Sequence, residues 1–265
     1  MSDLVTVEVD GGVADVRLNR PEKYNALSPE MFKAIVAAGE RLAEAKEVRA
    51  VVLSGNGRGF CAGLDMASMQ GLGDSSRDAG DALLSRGDQV ENFAQRPAYV
   101  WKKLPVPTIA ALHGVAYGGG CQIALGADIR FAAPDAKISV MEIKWGLIPD
   151  MSITQTLRDL VPLDVAKELT FTGRVLNGEQ ARQAGLVTHV ADDPHAAAME
   201  LAREIAGKSP DAVRAGKELF ETSWHADART GLELESALQR KLIGTANQVE
   251  AVRSNFEKRV PEFND

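Results

Sequence analysis

Three consecutive glycines, Gly118-Gly119-Gly120, follow an apolar stretch and precede a helical segment that begins near Cys121. Glycine there lets a ligand approach the backbone closely. The unpaired N–H groups of a helix start, backed by the positive end of the dipole, favour negative charge. Two such groups aimed at a carbonyl oxygen would stabilise an oxyanion. The same residues also suit a tight strand-to-helix turn, and spacing alone does not separate the two. A second run, Gly55-Asn56-Gly57-Arg58-Gly59, is followed by Phe60, so it does not complete G-x-G-x-x-G. It also lacks the Lys-Ser/Thr pair of a phosphate loop. No G-x-S-x-G nucleophile elbow occurs. His113, His189, His195 and His225 share no ligand spacing, so no metal is expected. Cys61 and Cys121 sit in apolar, glycine-rich runs and read as small buried thiols rather than as a disulfide framework.

These residues must be carried by an alternation of strands and helices. Val5-Thr6-Val7-Glu8-Val9 and Val13-Ala14-Asp15-Val16-Arg17-Leu18 alternate about Asp10-Gly11-Gly12, which predicts a hairpin. Ser28-Pro29-Glu30 opens a helix on which Phe32, Ile35, Val36, Gly39 and Leu42 recur at helical spacing. Val48 to Leu53 is an almost unbroken apolar run, expected to be a strand covered on both faces. Residues 55–80 are loop-rich, and residues 81–102 read as a helix. Thr108 to Leu112 and Ile129 to Ala132 read as further strands. The alternation argues an α/β core over residues 1–193. Residues 194–265 read as an all-helical region, too short for a good core of its own and expected to pack on the first region and on a neighbouring subunit.

A chain of 265 residues with 45% apolar and 25% charged residues suits one large domain with an appendage. A net charge of -7 does not suit a protein that coats nucleic acid or an anionic membrane, although a local basic patch could still meet phosphate. Residues 1–10 carry acids and no apolar run, unlike a signal peptide. No stretch reaches the roughly 18 apolar residues needed to span a bilayer. The expectation is a cytoplasmic protein.

Several segments together resemble the enoyl-CoA hydratase/isomerase (crotonase) superfamily. They are Asn19-Arg20-Pro21-Glu22-Lys23-Tyr24-Asn25-Ala26-Leu27-Ser28, Phe60-Cys61-Ala62-Gly63-Leu64-Asp65-Met66 and His113-Gly114-Val115-Ala116-Tyr117-Gly118-Gly119-Gly120-Cys121. Asp128-Ile129-Arg130, Thr172-Gly173, Ala184-Gly185-Leu186-Val187 and the stretch Phe256 to Phe263 match in order. The resemblance implies a spiral of ββα repeats with a C-terminal helical trimerisation region, assembled as a homotrimer or a dimer of trimers. It implies an acyl-CoA thioester as ligand, with coenzyme A part of the substrate and no separate cofactor. The backbone N–H groups of Leu64 and Gly119 would hold the thioester oxygen, and the Ala62 carbonyl would meet adenine. Ala26, Gly63, Asp65 and Gly118 would lie along the bound CoA. Lys23 and Lys258 would meet its phosphates, Lys258 from a neighbouring subunit, although Lys23 equally suits a solvated surface position.

The family's hydratases use two glutamates, one just after the glycine turn and one twenty residues later. Here those positions hold Gln122 and Glu142. An amide can hold a water or a carbonyl but does not trade a proton near neutral pH. Asp150, eight residues after Glu142, stands where the resemblance to dienoyl-CoA isomerases places an aspartate. A proton leaves C2 and another is added at C6, so two separate carboxyls suit the shift, Asp150 as base and Glu142 as acid. The alternative role for Asp150 is a helix N-cap. The leading expectation is a Δ3,5-Δ2,4-dienoyl-CoA isomerase. The alternatives are an enoyl-CoA hydratase using Glu142 and a water on Gln122, a single-glutamate Δ3-Δ2-enoyl-CoA isomerase, and a non-catalytic acyl-CoA binder. Met66, Met69, Leu72 and Phe93 are expected to wall the acyl end of the pocket.

Overall fold

The computed structural model describes residues 4–65 and 84–265. Its first elements are strands β1 (Val5–Asp10) and β2 (Val13–Leu18), paired antiparallel. Gly11 and Gly12 both adopt positive φ, 55° and 82°, as a two-residue hairpin turn requires. Helix α1 (Pro29–Glu44) starts as expected: the Ser28 hydroxyl accepts from the Met31 N–H and Pro29 occupies the first turn. Gly39 of α1 lies against Val100 of α2 (Arg96–Lys102), with no room for a β-carbon between the helices. Of the helix expected over 81–102, only Arg96–Lys102 is helical among residues 85–102. Gly87 takes φ +57, and Asn92 and Gln95 exchange side-chain-to-backbone bonds that open a fresh turn just before Pro97.

Strands β3 (Ala50–Gly55), β4 (Thr108–Leu112), β6 (Ile129–Ala132) and β8 (His189–Val190) continue the sheet in the order β1-β2-β3-β4-β6-β8, parallel from β2 onward. β3 begins two residues later than the apolar run, because Arg49 and Ala50 both donate to Gly12 O at the entry to the sheet. A second sheet pairs β5 (Val115–Tyr117) with β7 (Lys137–Ser139). It is extended by single bridges from Cys61 to Ala116 and from Ile138 to Leu176. The chain thus visits the large sheet, then the small one, then moves on: β3 to Cys61, β4 to β5, β6 to β7. This is the repeating spiral that the resemblance implies.

Side-chain alternation gives the large sheet two apolar faces. Ala14, Val16, Leu18, Val51, Leu53, Ala110 and Leu112 face the main core with α1 and α2. Val13, Ala50, Val52, Ile109 and Ala111 face Ala198, Ala202 and Ala206 of α7 (Pro194–Ala206). β3 is buried on both faces, as its composition requires. Between these, α3 (Gly119–Leu125) follows β5, α4 (Ile153–Thr156) and α5 (Leu163–Thr172) follow β7, and α6 (Gly178–Ala184) precedes β8. After α7 come α8 (Pro210–Ser223), α9 (Ala228–Leu242) and α10 (Ala246–Glu257). Lys217 pins α8 to the core through Asp128 and Val106 O, and Arg49 holds the end of the chain through Phe263 O and Asp265. No helix among the described residues is long and apolar enough to cross a membrane.

Candidate active site

The small sheet builds the site. Cys61, Ala116 and Ile138 occupy one rung of it, joined by parallel pairing. Three residues past Cys61 is Leu64, three past Ala116 is Gly119, and four past Ile138 is Glu142. Three neighbouring strand ends therefore present two backbone segments and one carboxyl side by side, at the C-terminal edge where ligands bind in parallel sheets. Gly118 N–H donates to Ser139 O across this edge at 2.9 Å.

The two expected oxyanion donors are open. Leu27 N–H donates to Gly63 O, and Asp65 N–H donates to Leu27 O, so the intervening Leu64 N–H faces the other way. Gly119 opens α3, whose first intrahelical donation reaching back to Gly118 O comes from Gln122. Neither Leu64 N–H nor Gly119 N–H has an acceptor among the described residues. Asn25, fully buried, donates to the carbonyls of Asn56, Gly59 and Phe60, and this closes the Gly55–Gly59 run into a tight structural turn. His113 Nε2 reaches Gly57 O at 2.9 Å from the other side.

A cavity of about 330 Å³ opens in front of these groups. Ala62, Gly63, Leu64, Gly118, Gly119, Gln122, Glu142 and Asp150 all line it. Its remaining wall is apolar, including Leu27, Phe32, Leu84, Trp145, Leu147, Ile148 and Met151. Phe93 sits behind this wall, stacked on Phe32 at 5.7 Å, rather than on its surface. Met66, Met69 and Leu72 lie outside the described residues. Trp145, Leu147 and Ile148 were not singled out by the sequence, because they sit in an irregular segment with no period to mark them.

Glu142 begins a 3-10 helix, Glu142–Trp145, closed by Gly146 in the left-handed region. Its Oε1 accepts from Gln122 Nε2 at 2.6 Å, while Oε2 is buried and bonds to nothing among the described residues. Gln122 Oε1 accepts from the Met151 backbone N–H at 2.8 Å. Burial pushes the Glu142 carboxyl up, and the charge of Asp150 adds to this. Hydrogen bonds from Glu142's own backbone and from Gln122 oppose it. Asp150 is open to solvent on one side, yet burial against the protein raises its carboxyl too, opposed by a bond from its own backbone. Asp150 does not cap a helix: Ser152 takes the N-cap position of α4, at φ +66 and without a side-chain cap bond.

The structure brings the other expected ligands together less completely. Ala26 is partly buried beside this loop and its carbonyl accepts from Arg20. The Asp65 carboxylate is held by Arg20 at 2.6 Å, so its side chain ties the loop at 20–27 to the turn at 63–65. Lys23 and Lys258 are exposed and stand apart from the cavity lining. Cys61 and Cys121 are buried free thiols, each pushed up to about 12 by burial.

The enoyl-CoA hydratase/isomerase family model matches residues 8–265. Mouse methylglutaconyl-CoA hydratase is 34% identical over 263 residues, 97% of this chain and 81% of that protein. Mouse enoyl-CoA hydratase domain-containing protein 2 is 35% identical, covering 95% and 84%. The crystal structure of an enoyl-CoA hydratase from Bacillus anthracis superposes with a TM-score of 0.89 at 30% identity, covering 98% of both chains. This protein belongs to the enoyl-CoA hydratase/isomerase family and has the crotonase fold.

Proposed function

We propose that this protein moves double bonds in an acyl-CoA thioester, as a Δ3,5-Δ2,4-dienoyl-CoA isomerase. The observation that carries the reading is that two carboxyls of unlike environment, Glu142 and Asp150, line one cavity beside two open backbone donors. The Leu64 and Gly119 N–H groups receive the thioester oxygen and stabilise the negative charge that develops on it. Asp150, exposed on its outer side, is the base and takes the C2 proton. The electrons shift along the diene, and Glu142, the more buried acid, delivers a proton to C6. One proton leaves and one arrives, so C3=C4–C5=C6 becomes C2=C3–C4=C5 with no redox change. Water at the open side of Asp150 resets both groups. The reaction uses no cofactor beyond the CoA of the substrate. Buried, unpaired Cys61 and Cys121 suit the reducing cytoplasm proposed for it.

A second reading is hydration of a 2-enoyl-CoA, favoured by the hydratase names of the relatives. Gln122 speaks against it, because hydration needs both water activation and proton delivery and only one of the usual two carboxyls is present. Ultraviolet absorbance separates the two. A 3,5-dienoyl-CoA gains long-wavelength absorbance when its diene becomes conjugated with the thioester, whereas a 2-enoyl-CoA loses absorbance on hydration. A rise with the diene is the expected result. A fall with the 2-enoyl thioester and no rise with the diene would assign a hydratase, and binding with neither change would assign a non-catalytic binder.

A further inference from the structure

Gln122 is fully buried, and both ends of its amide are used. A backbone N–H can only donate, so the amide oxygen must face Met151 and the amide nitrogen must face Glu142. The two bonds, at 2.6 and 2.8 Å, grip opposite ends of the segment 142–151, the segment that carries both carboxyls. Between its ends, Ile143 lies against Gly173 and α5 packs on the short helix, whereas Leu147 and Ile148 are exposed. The glycine turn adds a wall: a β-carbon on Gly118 would lie 3.2 Å from Glu142 Oε1.

We infer that Gln122 is a positioning residue that fixes the spacing of Glu142 and Asp150 and holds Glu142 Oε1 beside the glycine turn. Gln122 thus replaces the second acid of a hydratase with a brace, which specialises the site for proton movement along the acyl chain. The titratable groups beside Glu142 are Asp150 and the neutral Cys121 thiol. Lys144 on the same short helix, and Asp164, Lys167 and Glu168 on α5 packed against it, are solvent-exposed.

The kinetic part of this inference rests on the two-carboxyl reading above, whereas the titration part does not. The test uses the whole chain with Gln122→Met, which keeps length without hydrogen bonds, and Gln122→Glu, which restores them only when protonated. Glutamate carboxyl carbons are followed by ¹³C NMR against pH, and the Glu142 signal is identified by its loss in Glu142→Gln. In Gln122→Met, Glu142 should titrate at higher pH, because its anion loses a donor. The turnover number for double-bond migration should fall about 10- to 100-fold with KM within about twofold, the pattern of an interaction made in the transition state. Gln122→Glu should approach wild-type turnover at low pH and lose it as pH rises. Unchanged Glu142 titration and turnover in folded Gln122→Met would overturn the proposal. If that variant does not fold, a Gln122→Glu turnover that tracks wild type at every pH overturns it instead. A wild-type protein that moves no double bond would sink the isomerase reading, and the Glu142 titration would still decide the role of Gln122.

Discussion

Gly63 lies so close to the segment before the glycine turn that a β-carbon on it would stand 2.7 Å from Tyr117 O and 3.6 Å from Gly119 N. Its φ of +86 also belongs to glycine. Close approach of the two backbones sets the distance between Leu64 and Gly119. Gly63→Ala should therefore spread the two donors and lower kcat by about 10²-fold, the scale of losing one oxyanion donor. Steady-state kinetics on a folded variant checks this. A variant with wild-type kcat would show that the donors tolerate separation.

Asp150→Asn keeps size and hydrogen bonding but removes the carboxylate proposed as the base. Dienoyl isomerisation should fall by about 10² to 10⁴, with CoA-ester affinity nearly unchanged because both backbone donors remain. Exchange of the C2 hydrogen in D₂O should vanish in Asp150→Asn and persist in Glu142→Gln. The opposite pattern would assign C2 to Glu142, whose Oε1 adjoins Gly118. Full turnover in Asp150→Asn with a dead Glu142→Gln would replace the scheme by a single-glutamate Δ3-Δ2 isomerase.

Gln122→Glu supplies the missing second carboxyl. Hydration of a 2-enoyl-CoA should rise at least about tenfold, equivalent to about 1.4 kcal/mol of barrier. The gain should be largest at the pH where isomerisation by the same variant declines. No gain would mean that crowding by Asp150, or the Met151 N–H bond, prevents water from being placed.

The burial of Glu142 also carries a pH signature in stability. Its native carboxyl holds a proton to higher pH than in the unfolded chain. Between the ordinary glutamate value and the native one, the native state binds more protons, so stability falls as pH rises through that window. Glu142→Gln removes this loss. Thermal midpoints of the two proteins should nearly coincide at about pH 4 and diverge by about pH 8, with the variant higher. Parallel curves would show that the carboxyl is not raised.

The outer helices leave large apolar side chains uncovered, among them Phe220, Trp224, Leu232 and Phe256, the last 85% exposed. Surfaces of this kind mark association sites. Light scattering should give a mass three or six times the 28.4 kDa of one chain. A stable monomer at working concentration would remove the trimer, and with it a neighbour's Lys258 as a phosphate contact.

The residues of the site were legible in the sequence to different depths. Thr108–Leu112 matches its apolar run residue for residue, with all five residues buried, and Ile129–Ala132 matches too, although Arg130 interrupts it and Ile129 and Phe131 are only half-buried. Gly63 and Gly118 stand out because only glycine fits where they lie. The resemblance picked out Asp150 as a site acid, and it lines the cavity, whereas its residues alone left a helix cap as the alternative. The brace from Gln122 to Met151 had no signal at all: it joins residues 29 apart through a backbone N–H, which every residue but proline owns. Within the described part of the helix expected across 81–102, residues 85–95 are not helical, because Gly87 and the Asn92–Gln95 exchange favour local turns over helical periodicity.

The face of the large sheet covered by Ala198, Ala202 and Ala206 belongs to strands made much earlier in synthesis. At about 5–20 residues per second, β4 leaves the ribosome on the order of ten seconds before α7. For that interval Val13, Val52 and Ile109 have no cover of their own. Nascent chains need shielding there, so holdase chaperones should crosslink to chains stalled near residue 190 and release those stalled some fifty residues later, once α7 has cleared the exit tunnel. Because the alanines are small, the late helix can settle onto a preformed sheet without reshaping it, so the order of synthesis and the choice of alanine are two sides of one constraint.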